Sequence, residues 1–243
     1  MANVNTTTFK KLKTNYQKAA EWVDEYFSDL PQETKNKFYR SFHIRPTSNS
    51  LRIVCIEGNS RFAMRTHNVK ANDKTAFQQA LTDSLRLLSD MSILETRSAK
   101  EIEIAYGFKP YELGKRQKQT EFVIQAKFAQ YLQEQDYKVI TTEFNIKKGN
   151  RQRVDIIATC GKDLWLIEIK DGDVKTDATQ QVNAYKALVE ENRQICYELL
   201  HFFDKALQND YTVKTAVVYT RGKKSNEQID RLWKYNNGIF EQE

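Results

Sequence analysis

Arg153-Val154-Asp155-Ile156-Ile157-Ala158-Thr159-Cys160-Gly161-Lys162-Asp163-Leu164-Trp165-Leu166-Ile167-Glu168-Ile169-Lys170 is the stretch that decides how this chain folds. The runs on either side of Cys160-Gly161-Lys162-Asp163 are rich in β-branched and aromatic residues, and the four residues between them are a turn signal. Together they predict an antiparallel hairpin. With the turn centred between Gly161 and Lys162, Asp155 falls directly opposite Glu168. Like charges in that position have Cβ atoms roughly 5 Å apart and destabilise a sheet. Yet Val154, Ile156, Ile157, Leu166, Ile167 and Ile169 mark this as sheet interior, so a cation is expected beside the acids. Side chains alternate along a strand, so Leu166, Glu168 and Lys170 share a face and Lys170 supplies the ammonium group.

Two chemistries fit this trio. In one, Lys170 neutralises an acid in a structural salt bridge at a sheet end; a Glu-x-Lys triplet is too short to be specific. In the other, the carboxylates hold a divalent cation. Hard oxygen donors with no thiolate or imidazole nearby suit Mg²⁺ or Mn²⁺, and a carboxylate pair with a lysine can activate water against a phosphodiester.

The flanking segments bear on the choice. Gln119 to Leu132 has helical spacing, with Ile124, Phe128, Tyr131 and Leu132 as its apolar stripe. Glu121 falls on the buried side of that helix instead of the solvated one. Taken alone, Glu121 could equally complement the helix dipole in a first turn capped by Thr120. Thr176 to Val189 predicts a second amphipathic helix carrying Ala178, Val182, Tyr185 and Val189 on one stripe. Gln181 and Tyr185 are four apart and so are neighbours on its surface; by themselves they are a boundary glutamine beside a core tyrosine.

Glu121 on a helix, Val154-Asp155, Glu168-Ile169-Lys170 and then Gln181-x-x-x-Tyr185, in that order, resemble the PD-(D/E)xK nuclease superfamily, over residues 117 to 236. The resemblance implies an α/β (α+β) fold: a restriction-endonuclease-like core of a mixed four-stranded sheet flanked by helices. The strand candidates are Tyr137 to Ile146, Arg153 to Thr159, Leu164 to Lys170 and Thr212 to Thr220. It also implies that Asp155 and Glu168 bind Mg²⁺, with Glu121 or, in its place, Glu143 completing the site. Lys170 would orient or deprotonate the attacking water, and Gln181 and Tyr185 would support the site. The proline that precedes the motif aspartate in the superfamily is Val154 here, at a position that varies.

A net charge of +6 and a pI near 9.0 favour a polyanionic partner, DNA above all. The charge is clustered at Lys115, Arg116 and Lys118, at Lys147, Lys148, Arg151 and Arg153, and at Arg221, Lys223 and Lys224. One lysine run is usually a solvated face. Three of them around an acidic site fit backbone phosphates better. Cys55, Cys160 and Cys196 show no metal-ligand spacing, and His43, His67 and His201 are scattered, which argues against zinc and for a reduced setting. No Gly-rich phosphate loop is present, so no nucleotide cofactor is expected. No signal peptide or apolar run long enough for a membrane span is legible, so a cytoplasmic location without membrane attachment is expected.

With 40% hydrophobic residues the chain can bury a sizeable core in one large or two small domains. Pro110 and two glycines interrupt both periodicities across Gly107 to Arg116, which suggests a boundary between an N-terminal α/β domain, 1–110, and a nuclease-like domain, 111–243. In the first part helices are predicted from Phe9 to Phe27, Gln32 to Phe42 and Lys74 to Leu88. Strands are predicted at Leu51 to Glu57 and Arg61 to Thr66, around Gly58-Asn59-Ser60, with a turn at Pro46 to Ser50. No family motif marks this part. DNA recognition, a homodimer interface and a surface for an activating partner are all open to it.

Overall fold

The structure is a computed structural model, and it describes residues 5–55, 62–63, 65–90, 97–106, 111–112, 117–146, 153–172, 176–221, 228–236 and 238–243. They form two compact units, Lys11–Ala126 and Met1–Lys10 with Lys127–Glu243.

The unit Lys11–Ala126 contains most of α1 (Thr6–Phe27), then α2 (Gln32–Ser41), β1 (Phe42–Pro46), β2 (Ser50–Cys55), β3 (Phe62–Ala63), β4 (Arg65–Lys70), α3 (Lys74–Ser89), α4 (Ala99–Tyr106) and β5 (Tyr111–Glu112). The three predicted helices are present with small changes at their ends. Strands β1, β2 and β4 form a three-stranded sheet, and β3 pairs with β5. The Pro46 to Ser50 turn closes the β1–β2 hairpin, where Thr47 N–H donates to Ser50 O at 2.8 Å and Ser50 N–H donates to Thr47 Oγ1 at 3.0 Å. Strand β1 was not expected. The strand predicted at Arg61 to Thr66 divides between two partners, Phe62–Ala63 to β5 and Arg65–Lys70 to β2. Gly58-Asn59-Ser60 lies outside the described residues. Trp22, Phe27, Phe38, Phe42, Leu51, Ile53, Phe77 and Leu81 form the core, which is why α1, α2 and α3 each keep one apolar stripe.

The other unit is built on one six-stranded sheet among the described residues, in the order β11-β10-β9-β8-β7-β6. Its strands are β6 (Lys138–Phe144), β7 (Val154–Cys160), β8 (Asp163–Lys170), β9 (Thr212–Tyr219), β10 (Arg231–Asn236) and β11 (Ile239–Gln242). The four predicted strands are β6 to β9. The expectation of a four-stranded sheet is corrected by β10, parallel to β9, and β11, antiparallel to β10. Helices α6 (Thr176–Glu191) and α7 (Arg193–Leu200) make the crossover that lets β9 run parallel to β8. Helix α5 (Gln117–Glu134) begins before Thr120, so that residue lies inside the helix and does not cap it.

Both faces of this sheet are covered. Ala178 and Val182 of α6 pack on Val217 and Tyr219 of β9. On the opposite face Phe128 of α5 stacks edge-on against Trp233 of β10 and Phe240 of β11. Strands buried on two sides lose the alternation of polar and apolar residues. This is why Leu164 through Ile169 are all buried and why a carboxylate in that run, Glu168, stands out.

Candidate active site

The hairpin forms as its residues dictate. Cys160 pairs with Asp163 across Gly161 and Lys162, and the ladder continues to Ile156 opposite Ile167. Gly161 takes φ 57, a left-handed conformation that a tight two-residue turn requires and glycine adopts without steric cost. One step beyond Ile156–Ile167 in this register, Asp155 stands opposite Glu168. Strand β9 closes the other side, with Val217 beside Glu168 and Tyr219 beside Lys170.

Each charged group at this end of the sheet is held in a different way. Ile169 N–H donates to Asp155 Oδ2 at 2.7 Å, so the aspartate is tied across the hairpin to the backbone next to Glu168. Glu168 is 3% exposed. Its Oε1 accepts from Lys170 Nζ at 2.8 Å, and the lysine side chain is 24% exposed against 4% for the glutamate. The pair thus has a buried acidic end and a cationic end that reaches the surface.

Helix α6 supplies the next layer. Gln181 Nε2 donates to Tyr185 OH at 3.1 Å and to the carbonyl of Arg153 at 3.4 Å, so the helix is joined to the strand that carries Asp155. Burial pushes the Tyr185 phenol well above its ordinary range. Glu168 and Asp155 push it further in the same direction, against the opposing effect of the Gln181 hydrogen bond. Tyr185 therefore feels both carboxylates. The structure brings together Asp155, Glu168, Lys170, Gln181 and Tyr185.

Glu121 is half-buried on α5, in the stretch that belongs to the unit Lys11–Ala126. Glu143 lies on β6 between Thr142, opposite Ile156, and Phe144, opposite Val154, which puts it beside Asp155 in the ladder. Among the described residues no three His, Cys, Asp or Glu side chains converge as a metal cluster. The Glu143 carboxylate instead lies 3.7 Å from Arg153 Nη1. A cation at this site would therefore take Asp155 and Glu168 as its protein acids. That donor set fits Mg²⁺, which prefers oxygen, is commonly bound through one or two carboxylates and keeps several waters.

Of the basic residues expected to meet phosphates, Arg153 and Arg221 are described, and both are exposed. They sit at the same end of the sheet as the acids, Arg153 before β7 and Arg221 after β9. Thr220 Oγ1 donates to Asp171 Oδ1 at 2.9 Å, and the N–H groups of Thr220 and Arg221 donate to Gly172 O at 3.3 and 3.2 Å. These bonds fasten the chain that carries Arg221 to the end of β8. Lys115, Arg116, Lys147, Lys148, Arg151, Lys223 and Lys224 lie outside the described residues, and for Lys118 only the helical backbone is described. The sequence points to Glu143 and Arg153 separately and does not reveal their pairing. Their closeness depends on the β6–β7 register, for which the segment between them carries no turn signal as compact as Cys160 to Asp163.

Residues 118–220 match the family model of the nuclease-related domain, NERD. The match runs from α5 to the end of β9 and contains every member of the cluster. No curated protein and no solved structure matches the chain. Among the described residues no helix is long and apolar enough to cross a membrane.

Proposed function

We propose that this chain is a metal-dependent nuclease that hydrolyses DNA phosphodiester bonds, of the PD-(D/E)xK type and acting as a restriction-type endonuclease. The supporting observation is Glu168, a carboxylate 3% exposed that faces Asp155 across a hairpin and is met by Lys170 at 2.8 Å, inside a segment that matches a nuclease-related domain. Fold stability alone does not call for two acids in one row of a sheet interior. Strongly interacting charges at a sheet end are a mark of function.

Asp155 and Glu168 are the residues that would hold Mg²⁺ or Mn²⁺. When bound, the ion would supply Lewis acidity to the scissile phosphate and lower the pKa of a coordinated water. The chain's own groups do the rest. Asp155, with Oδ2 fixed by Ile169 N–H, has its carboxylate held in a set orientation. Lys170, paired with Glu168, is an ammonium group; it donates to the attacking water or to charge that develops on the phosphate oxygens as the new P–O bond forms and the old one breaks. Tyr185 stays a neutral phenol, and with Gln181 it steadies the strand that bears Asp155. The PD-(D/E)xK pattern would assign Glu121 a role as a further acid. Arg153 and Arg221, with the neighbouring lysines, neutralise backbone phosphates.

A non-catalytic nucleic-acid-binding subunit would use the same basic surface, with the Glu168–Lys170 pair as a salt bridge only. The test is a panel of linear duplex, plasmid, single-stranded and branched DNA incubated with Mg²⁺ or Mn²⁺. The expected result is cleavage of duplex DNA that Asp155→Ala, Glu168→Ala or Lys170→Ala abolishes while DNA binding persists. Cleavage confined to branched substrates makes the enzyme a repair or junction nuclease. No cleavage of any substrate, with salt-dependent binding intact, establishes the binding subunit and overturns the nuclease.

A further inference from the structure

Glu143 has an unusual backbone among the described residues of the unit that carries the site. Its φ is +50, a left-handed conformation that costs a residue with a Cβ and is rare for glutamate. The other non-glycine with positive φ among the described residues is Asp136, in the tight turn between α5 and β6, where such geometry is common. Glu143 is not in a turn, since Thr142 and Phe144 on either side of it are both paired with β7. Strained residues inside a ladder persist where the surroundings over-determine them, and they serve to re-aim a side chain.

The ladder shows what this side chain meets. Ordinary strand alternation would put Glu143 on the face of Asp155 and Glu168, as a third acid in the row. No third acid joins the pair among the described residues. The Glu143 side chain, 12% exposed, lies 3.7 Å from the guanidinium of Arg153, which is 56% exposed and two residues before Asp155. That distance is an ion pair without a hydrogen bond. Arg153 is also held through its backbone, where its carbonyl accepts from Gln181 at 3.4 Å. A guanidinium has five donors in a planar fork, and one electrostatic contact at its edge leaves most of them for a phosphate.

We propose that Glu143 is a positioning residue, which holds the Arg153 guanidinium at the mouth of the carboxylate site to bind a backbone phosphate of the substrate. This inference rests on the nuclease reading, and its sign is distinctive. Removing a negative charge from a phosphate-facing surface should by itself tighten DNA binding. Removing the group that holds a phosphate-binding arginine should weaken it.

The experiment measures binding of a labelled duplex oligonucleotide by the full chain without divalent metal, over a series of salt concentrations, together with Mg²⁺-dependent cleavage. Glu143→Gly relieves the positive φ and so keeps a melting temperature within a few degrees of wild type. Glu143→Gln keeps the side chain's size. Both are expected to weaken binding roughly three- to tenfold and to raise KM by more than they lower kcat. Arg153→Ala is expected to reduce the salt slope by about one, and Glu143→Gln in that background should add no further loss. Unchanged or tighter binding by the two Glu143 variants overturns the inference and leaves the nuclease standing. So does a fall in kcat at unchanged affinity, which would put Glu143 in the metal's environment. A wild-type protein that neither binds nor cleaves DNA removes the nuclease reading and the inference with it.

Discussion

Among the described residues each of the two units buries one charged side chain in a sheet, and the setting of each is different. In the unit Lys11–Ala126 the buried charge is Arg45, 4% exposed, whose Nη1 donates to Gln125 Oε1 at 2.8 Å. On the same strand face stands His43, pushed down to about 4 by burial and by the Arg45 charge, and so a neutral ring at ordinary pH. In the other unit the buried charge is Glu168, 3% exposed, with a second acid opposite and a lysine 2.8 Å away that reaches the surface. Arg45 donates to an amide within the interior of its unit, where it ties β1 to a residue eighty positions away. Glu168 belongs to a row of interacting charges at the end of a sheet, which stability alone does not require and which the proposed cation would use. Burial of a charge is therefore not the signal of a site; a cluster of charges that repel one another and also reach solvent is.

The contrast can be broken most forcefully by removing one charge from each unit. Lys170→Ala should reduce Mg²⁺-dependent cleavage by about a hundredfold or more, the scale on which a positioned transition-state donor acts. Because the buried Glu168 carboxylate loses its ammonium partner, the melting temperature should also fall in metal-free buffer and recover when Mg²⁺ is added. Arg45→Ala should lower stability by about 2–4 kcal/mol through an emptied core site, as read by urea denaturation, with no recovery on adding Mg²⁺ and no loss of cleavage by the folded protein. If both variants lose stability alike and neither loses cleavage, the two buried charges are of one kind.

The pH response of His43 sharpens the same difference. Its pKa in the fold is lowered to about 4, against 6.5 in the unfolded chain. The fold therefore favours the neutral ring, and that stabilisation is complete above pH 6.5. As pH falls from 6.5 towards 4 the unfolded chain takes up a proton that the folded chain refuses, so stability is lost across that window. The melting temperature of wild type should fall more steeply over this range than that of His43→Gln. Parallel slopes would mean that the ring is not held neutral.

Much of this arrangement was legible in the sequence, and the reasons are local. The hairpin from Val154 to Lys170 has a compact turn and a strand pattern on both sides, so its register follows from counting. The apolar stripe of the run from Thr176 placed Gln181 and Tyr185 correctly on one helix. The strands missing from the expected sheet, β10 and β11, are short, and β11 is mostly exposed. The Asn237-Gly238 pair between them was a hairpin signal, and Gly238 takes φ 92. Helix α4 was missed although Ser98 and Glu101 form a capping box, with Ser98 N–H donating to Glu101 at 2.7 Å and Glu101 N–H to Ser98 Oγ at 3.3 Å. What could not be read were facts of tertiary register: the ion pair of Glu143 with Arg153, the left-handed φ of Glu143, and the burial of Arg45 against a glutamine eighty residues away. No periodicity encodes these.

The smallest predicted effect lies in the site itself. Asp155→Asn keeps an oxygen for the Ile169 N–H and removes the repulsion with Glu168, so in metal-free buffer the protein should gain about 0.5–1 kcal/mol of stability. The same variant gives the most direct test of the central claim, that Asp155 and Glu168 form a cation site and not a salt-bridge cluster. Calorimetric titration of Mn²⁺ into the wild-type protein should give a saturable isotherm that Asp155→Asn abolishes or weakens by at least about tenfold. Identical isotherms for the two proteins, or no binding by wild type, would contradict it.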